Sequence, residues 1–159
     1  KKAFIYLKLN NLTDTEIIQY LYEASAAGVN IKLIVRGMIS LVPGLKDISE
    51  NIKARGIVDR FLEHSRFMIF CNEGDEECFI TSADLMPRNI DRRIEVTCPV
   101  FDKNLKNELK KLFQIQWNDT VKARIIDAGL SNKLANSSKQ QIQAQVEAYN
   151  YLKEIHTKQ

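Results

Sequence analysis

Apolar positions along this chain fall into two registers. Phe4 to Leu9 and Ile31 to Val35 are short, nearly continuous apolar runs of strand length. Between them Ile17, Ile18, Leu21, Tyr22 and Ala24 recur at helical spacing. Thr13-Asp14-Thr15-Glu16 fits a capping box, with Thr13 as the cap and Glu16 reaching back. Gly28 stands where a helix end favours a left-handed residue. Strand, helix and strand with short links predict a parallel βαβ unit, and the apolar second run predicts a strand covered on both faces.

Further along, the pattern predicts a long, loosely patterned link from Gly37 to Ile52 with a turn at Pro43-Gly44. Ile57 to Leu62 reads as a short helix. Phe67 to Phe70 and Cys78 to Thr81 read as paired strands about an acidic turn from Glu73 to Glu77. Ile94 to Cys98 is one more strand, ended by Pro99. Asp102 opens a helix with Leu105, Leu109, Leu112 and Phe113 on one face. A last helix spans about Lys139 to Ile155 with Ile142, Val146, Tyr149 and Leu152 inward, after a joint at Ser137-Ser138. No internal repeat is found. The order predicts an α/β sandwich: a mixed, largely parallel sheet flanked by helices, with C-terminal helices. Residues 1–130 would form the body and 131–159 a helical tail of the same domain. Ligands of such sheets gather at the carboxyl ends of strands, where Arg36 follows the second run.

With 45% hydrophobic and 27% charged residues, 159 residues suffice for one domain with a real core. A formal charge of +3 is too small to require a nucleic-acid partner, although a local anion site needs only a local field. No apolar stretch approaches the roughly 20 residues of a membrane span, and no secretory signal is visible. Cys71, Cys78 and Cys98 have no metal-like spacing and cannot all pair, so a reducing cytoplasm is expected. The chain opens on Lys1 in strand-like sequence with no methionine, which suggests a piece of a longer polypeptide.

Candidate chemistry concentrates in three places. His64, in Leu62-Glu63-His64-Ser65-Arg66, lies between a helix and a strand with Arg60 and Arg66 nearby. It suits proton transfer, and equally a histidine tied to Glu63 or a carbonyl. His156 fits a solvated helix end. Arg36 before Gly37 suits a phosphate, because glycine lets a ligand approach the backbone, and a surface ion pair is the plain alternative. From Ser82 to Glu95, Ser82 and Asp84 could order a turn. Arg88, Arg92 and Arg93 crowd six positions, as a solvated patch or as partners for repeated phosphates.

Taken together these stretches resemble polyphosphate kinase of the long, histidine-phosphorylating type. The resemblance rests on Lys8-Leu9-Asn10-Asn11-Leu12, Leu21-Tyr22-Glu23-Ala24-Ser25, Gly28-Val29, Leu33-Ile34-Val35-Arg36-Gly37, Pro43-Gly44 and Ser49-Glu50-Asn51-Ile52. It continues through the segment from Ile57 to Arg66, Ser82-Ala83-Asp84 with Pro87-Arg88-Asn89, and Asp119-Thr120-Val121-Lys122-Ala123-Arg124. It covers essentially the whole chain in order. The segment ending in His64-Ser65-Arg66 is its most specific part.

The resemblance implies the last of four domains, with a phospholipase D-like fold. It implies a cytoplasmic, magnesium-dependent transferase, with the inner membrane as a peripheral alternative. That enzyme is a phosphoprotein, commonly a homo-oligomer, which moves the terminal phosphate of ATP reversibly onto polyphosphate. Its phosphorylated histidine belongs to the preceding domain, so this chain alone is expected to be inactive. Arg36 and His64 match ATP-contacting positions, with His64 the catalytic candidate through a hydrogen bond to phosphate or a proton for the leaving oxygen. Arg93 matches a residue of the polyphosphate tunnel. Arg66, Ser82, Asp84 and Arg88 are secondary candidates, and no metal ligand is expected in this chain. His64 and Arg66 stand for the histidine and lysine of the phospholipase D motif His-x-Lys-x-x-x-x-Asp. Cys71 falls where its aspartate should be, Asp84 where asparagine is usual, and Leu85 where the kinase family would have tryptophan. The alternatives are a phospholipase D-like phosphodiesterase half-site and a non-catalytic polyanion-binding module.

Overall fold

The computed structural model describes residues 3–135 and 140–157. Strand β1 (Phe4–Leu9), helix α1 (Thr15–Ala26) and strand β2 (Asn30–Val35) form the expected parallel unit, in register from Phe4 opposite Asn30 to Leu9 opposite Val35. Ile18 and Leu21 of α1 bury against Leu7, Leu9, Ile31, Leu33 and Val35. Gly28 ends this helix with φ of 88°, a left-handed conformation that glycine adopts without Cβ strain. The cap is Asp14 and not Thr13: its carboxylate accepts from the Ile17 N–H at 3.0 Å. Thr13 is drawn off by its own backbone, whose N–H donates to the Leu85 carbonyl at 2.8 Å.

The expectation of a largely parallel sheet is corrected. Strand β3 (Ile52–Gly56) pairs parallel with β2. Strand β4 (Phe67–Phe70) runs antiparallel to β1, and β5 (Glu77–Thr81) antiparallel to β4. Strand β6 (Thr97–Val100) is antiparallel to β5, and β7 (Arg124–Ile126) to β3. Among the described residues the seven strands lie in the order β6-β5-β4-β1-β2-β3-β7. The cause is link length. The few residues between β4 and β5, which include a 3-10 turn at Asn72–Gly74, can close a hairpin but not a crossover. Strand β6 is also displaced from the expected Ile94–Cys98 and contains Pro99. As β6 is a sheet edge, a residue without an N–H is tolerated there.

The other helices are α2 (Pro87–Asp91), α3 (Lys103–Trp117) and α4 (Ala144–His156). Asp102 caps α3 by accepting from Asn104 and Leu105. Phe113 and Trp117 of α3 bury against Ile34, Phe67, Ile69 and Cys78 on the second sheet face. The Phe113 ring stacks on Tyr6 at 5.1 Å and on Trp117 at 6.0 Å. Leu105 is exposed, so the buried stripe of α3 is shifted toward its C-terminal end. In α4 the buried residue is Ala144, while Val146 and Tyr149, expected inward, face out. The expected joint at Ser137-Ser138 lies outside the described residues. Residues 57–62 form no helix. They continue as an irregular strap between β3 and β4, because polar groups of α4 satisfy their backbone. Gln145 Nε2 donates to the Phe61 carbonyl at 2.7 Å, and the Phe61 N–H donates to Gln145 Oε1 at 3.0 Å.

Candidate functional site

The site forms where β1 and β2 end side by side. Both strands are mostly apolar, and at their carboxyl ends Lys8, Asn10 and Asn11 on one chain segment and Arg36 on the other introduce polar groups. Lys8 is 2% exposed, pairs with Glu63 Oε2 at 2.6 Å and donates to the Ser65 carbonyl at 3.1 Å. Burial pushes the Lys8 ammonium pKa down against the pull of Glu63. Burial pushes the Glu63 carboxyl up, but Lys8 and Ser65 outweigh it and hold the group below its usual range. This pair, with Lys8 buried and Glu63 half-buried, pins the strap just ahead of His64.

Asp84 anchors the other side. It is 2% exposed, and its Oδ1 accepts from the Asn10 N–H at 2.8 Å and the Asn11 N–H at 3.0 Å. Its Oδ2 accepts from Asn11 Nδ2 at 2.8 Å. Arg66 binds both oxygens, with Nε at 2.9 Å from Oδ1 and NH2 at 3.3 Å from Oδ2. Burial alone would raise the Asp84 carboxyl, but these donors, Arg66 and Asn11 foremost, hold it at about 2.

From this anchor the polar contacts close a ring around His64. Asn10 Oδ1 accepts from Arg36 Nε at 2.8 Å. Arg36 NH2 lies 3.3 Å from His64 Nδ1, and Arg66 NH2 lies 2.9 Å from His64 Nε2. His64 is exposed, whereas Arg36 and Arg66 are partly covered, so the imidazole stands in the open mouth of the ring between two guanidinium groups. Gly37 is required here by the neighbouring strand end. A Cβ at Gly37 would lie 2.7 Å from Asn11 Oδ1 and 3.0 Å from the Asn10 carbonyl, so the close approach is to protein. Beside the ring, a cavity of about 290 Å³ runs between the strap and α4, with Lys8, Arg36, Glu63, Phe61 and Ala148 among its walls.

Four of the sequence candidates, Arg36, His64, Arg66 and Asp84, therefore meet. The other three do not join the ring. Ser82 donates to Glu95 Oε2 and accepts from the Val96 N–H at 3.0 Å, closing the loop before β6. Arg88 is exposed on α2, and Arg93 is exposed between α2 and β6, where its charge acts on Glu95. His156 is exposed at the end of α4, 3.9 Å from Glu108. Lys8, Asn10, Asn11 and Glu63 were legible in sequence only as parts of family-like segments, with Glu63 also a plain partner for His64, and not as site residues. For Lys8, Asn10 and Asn11 the signal was three polar residues at the end of the otherwise apolar first strand, and for Glu63 only its place beside His64.

The chain falls in the phospholipase D-like fold class. It superposes on Nuc of Salmonella typhimurium, a phospholipase D family member, with a TM-score of 0.61 at 16% identity over 80% of this chain and 84% of that one. NucT of Helicobacter pylori superposes with a TM-score of 0.55 at 13% identity, over 70% of this chain and 76% of that one. Within that class the chain belongs to the polyphosphate kinase family: residues 1–145 match the family's C-terminal domain 2. It is 52% identical over 156 residues to polyphosphate kinase of Vibrio vulnificus, covering 98% of this chain and 22% of that protein. It is 49% identical over 152 residues to the Escherichia coli enzyme, covering 95% of this chain and 22% of that protein. The crystal structure of polyphosphate kinase from Porphyromonas gingivalis superposes over 100% of this chain and 24% of that one, with a TM-score of 0.95 at 45% identity. The chain thus spans about a fifth of the length of the curated relatives it matches.

Proposed function

We propose that this chain is one wall of the ATP and polyphosphate site of a polyphosphate kinase. That enzyme would move the terminal phosphate of ATP reversibly onto polyphosphate. The observation that carries the reading is the convergence of Arg36 and His64, from two separate segments, to 3.3 Å at the carboxyl ends of parallel strands. Two phosphate chains repel each other, and fixed guanidinium groups offset that repulsion where charge builds up during transfer. Arg36 takes the terminal phosphates of ATP, and His64 hydrogen-bonds a phosphate oxygen. The exposed Arg93 holds the polyphosphate.

Asp84 and Glu63 are already engaged with Arg66 and Lys8, so this donor set does not fit a divalent ion. Magnesium would arrive with the nucleotide and take its ligands outside this chain. The phosphorylated histidine would likewise come from the preceding domain, which leaves the isolated chain without phosphotransfer activity.

In the full-length polypeptide, Arg36→Ala and His64→Ala should each lower turnover at least tenfold, about 1.4 kcal/mol. Near-normal kinetics in both variants would sink the reading.

A further inference from the structure

The ring around His64 has more donors than acceptors, and that imbalance decides how the imidazole meets a ligand. Guanidinium nitrogens are donors only. Each of the two His64 nitrogens faces one of them, yet a neutral imidazole has a single acceptor nitrogen. The two contacts are not equivalent. Arg66 NH2 lies at 2.9 Å from Nε2, within hydrogen-bond range, and a pair of donors at that distance would repel. Arg36 NH2 lies at 3.3 Å from Nδ1, long for a nitrogen donor. Arg66 also cannot turn away, because Asp84 grips its Nε and NH2 and is itself fixed by Asn10 and Asn11.

We propose that Arg66, oriented by Asp84, holds His64 with its proton on Nδ1, so that the ring presents an N–H beside Arg36 to an incoming phosphate. The acceptor is then Nε2, spent on Arg66. Nδ1–H and Arg36 NH2 are two donors side by side, and among the described residues no side chain takes both. A phosphate oxygen seated between them satisfies both at once. Arg66 is on this account a positioning residue. Its Nε and NH2 are committed inside the ring, so the edge of Arg66 that the motif would give to phosphate is spent on Asp84 and His64, and only NH1, 3.5 Å from the His64 carbonyl, faces outward. The inference rests on the phosphate reading of the site for its ligand, but not for its tautomer.

The test is the ring-nitrogen spectrum of the full-length polypeptide labelled with 15N-histidine, with His64 assigned by its loss in His64→Gln. The expected result is Nε2 in the unprotonated range and Nδ1 in the protonated range, with Nδ1 moving on addition of pyrophosphate. Arg66→Met should shift the population toward the Nε2–H form that free histidine prefers, and Asp84→Asn should shift it the same way. A proton on Nε2 in the unaltered protein would overturn the proposal, and that spectrum is decisive even where a variant folds poorly. An unchanged tautomer in a folded Arg66→Met would overturn it as well. The Nδ1–H form with no response to pyrophosphate would uphold the tautomer and overturn the phosphate reading beneath it.

Discussion

Asp84 carries more of this site than its position in a polar stretch suggests. Five donor contacts meet one carboxylate, three of them from a different strand end. Its folded pKa of about 2 lies below the usual carboxylate value near 3.9, so the ionised form favours folding. That stability is fully present above about pH 4 and is lost as pH falls toward 2. A displacement of this size corresponds to about 2 kcal/mol. Denaturant titrations at pH 6 and pH 2 should show this component in the unaltered chain and not in Asp84→Asn. Equal losses in both would contradict the assignment. In sequence, Asp84 was readable as a turn residue or a motif position. Its grip on Asn10 and Asn11 was not, because more than seventy intervening residues separate the partners.

At the scale of elements, the local signals were legible and the long-range ones were not. The βα unit, Gly28, the Asp102 cap and the β4–β5 hairpin follow from periodicity and turn chemistry, which are local. The direction of the sheet depended on which strands became neighbours. Strands β3 and β7 escaped notice because Lys53, Arg55 and Arg124 interrupt short apolar runs. The strap at residues 57–62 looked helical because Ile57, Phe61 and Leu62 are helically spaced, yet Gln145 binds its backbone at Phe61 and the segment stays irregular.

That docking depends on a buried hub. Asp119 is 0% exposed, and its Oδ1 accepts from the N–H groups of Val121, Lys122 and Ala123, while Oδ2 accepts from Ala144 at 2.7 Å. Asp119→Ala leaves the buried N–H groups of Ala123 and Ala144 unsatisfied, at a cost of about 1–3 kcal/mol. Hydrogen exchange should then quicken at the start of α4 and across the strap, with β1 and β2 unchanged. Uniform loss of protection across the whole chain would contradict a local role.

For the whole molecule, a net charge of +3 conceals a strongly patterned surface. Two guanidinium groups flank His64, and further arginines stand exposed toward α2 and β6. No disulfide links Cys71, Cys78 and Cys98, and among the described residues no helix is long and apolar enough to cross a membrane. On the proposed function, with Arg93 serving polyphosphate from outside the His64 ring, its loss should separate polyphosphate from ATP. Arg93→Ala should raise the KM for polyphosphate about fivefold, roughly 1 kcal/mol, and change that for ATP far less. Equal effects on both would merge the two subsites.

The central claim is that Arg36 and His64 form a phosphate-binding wall, and direct binding tests it with least intervention. Calorimetry of the full-length polypeptide with a non-hydrolysable ATP analogue should show Arg36→Ala binding at least tenfold more weakly than the unaltered protein, a loss of about 1.4 kcal/mol. Equal affinity in the two would contradict the account.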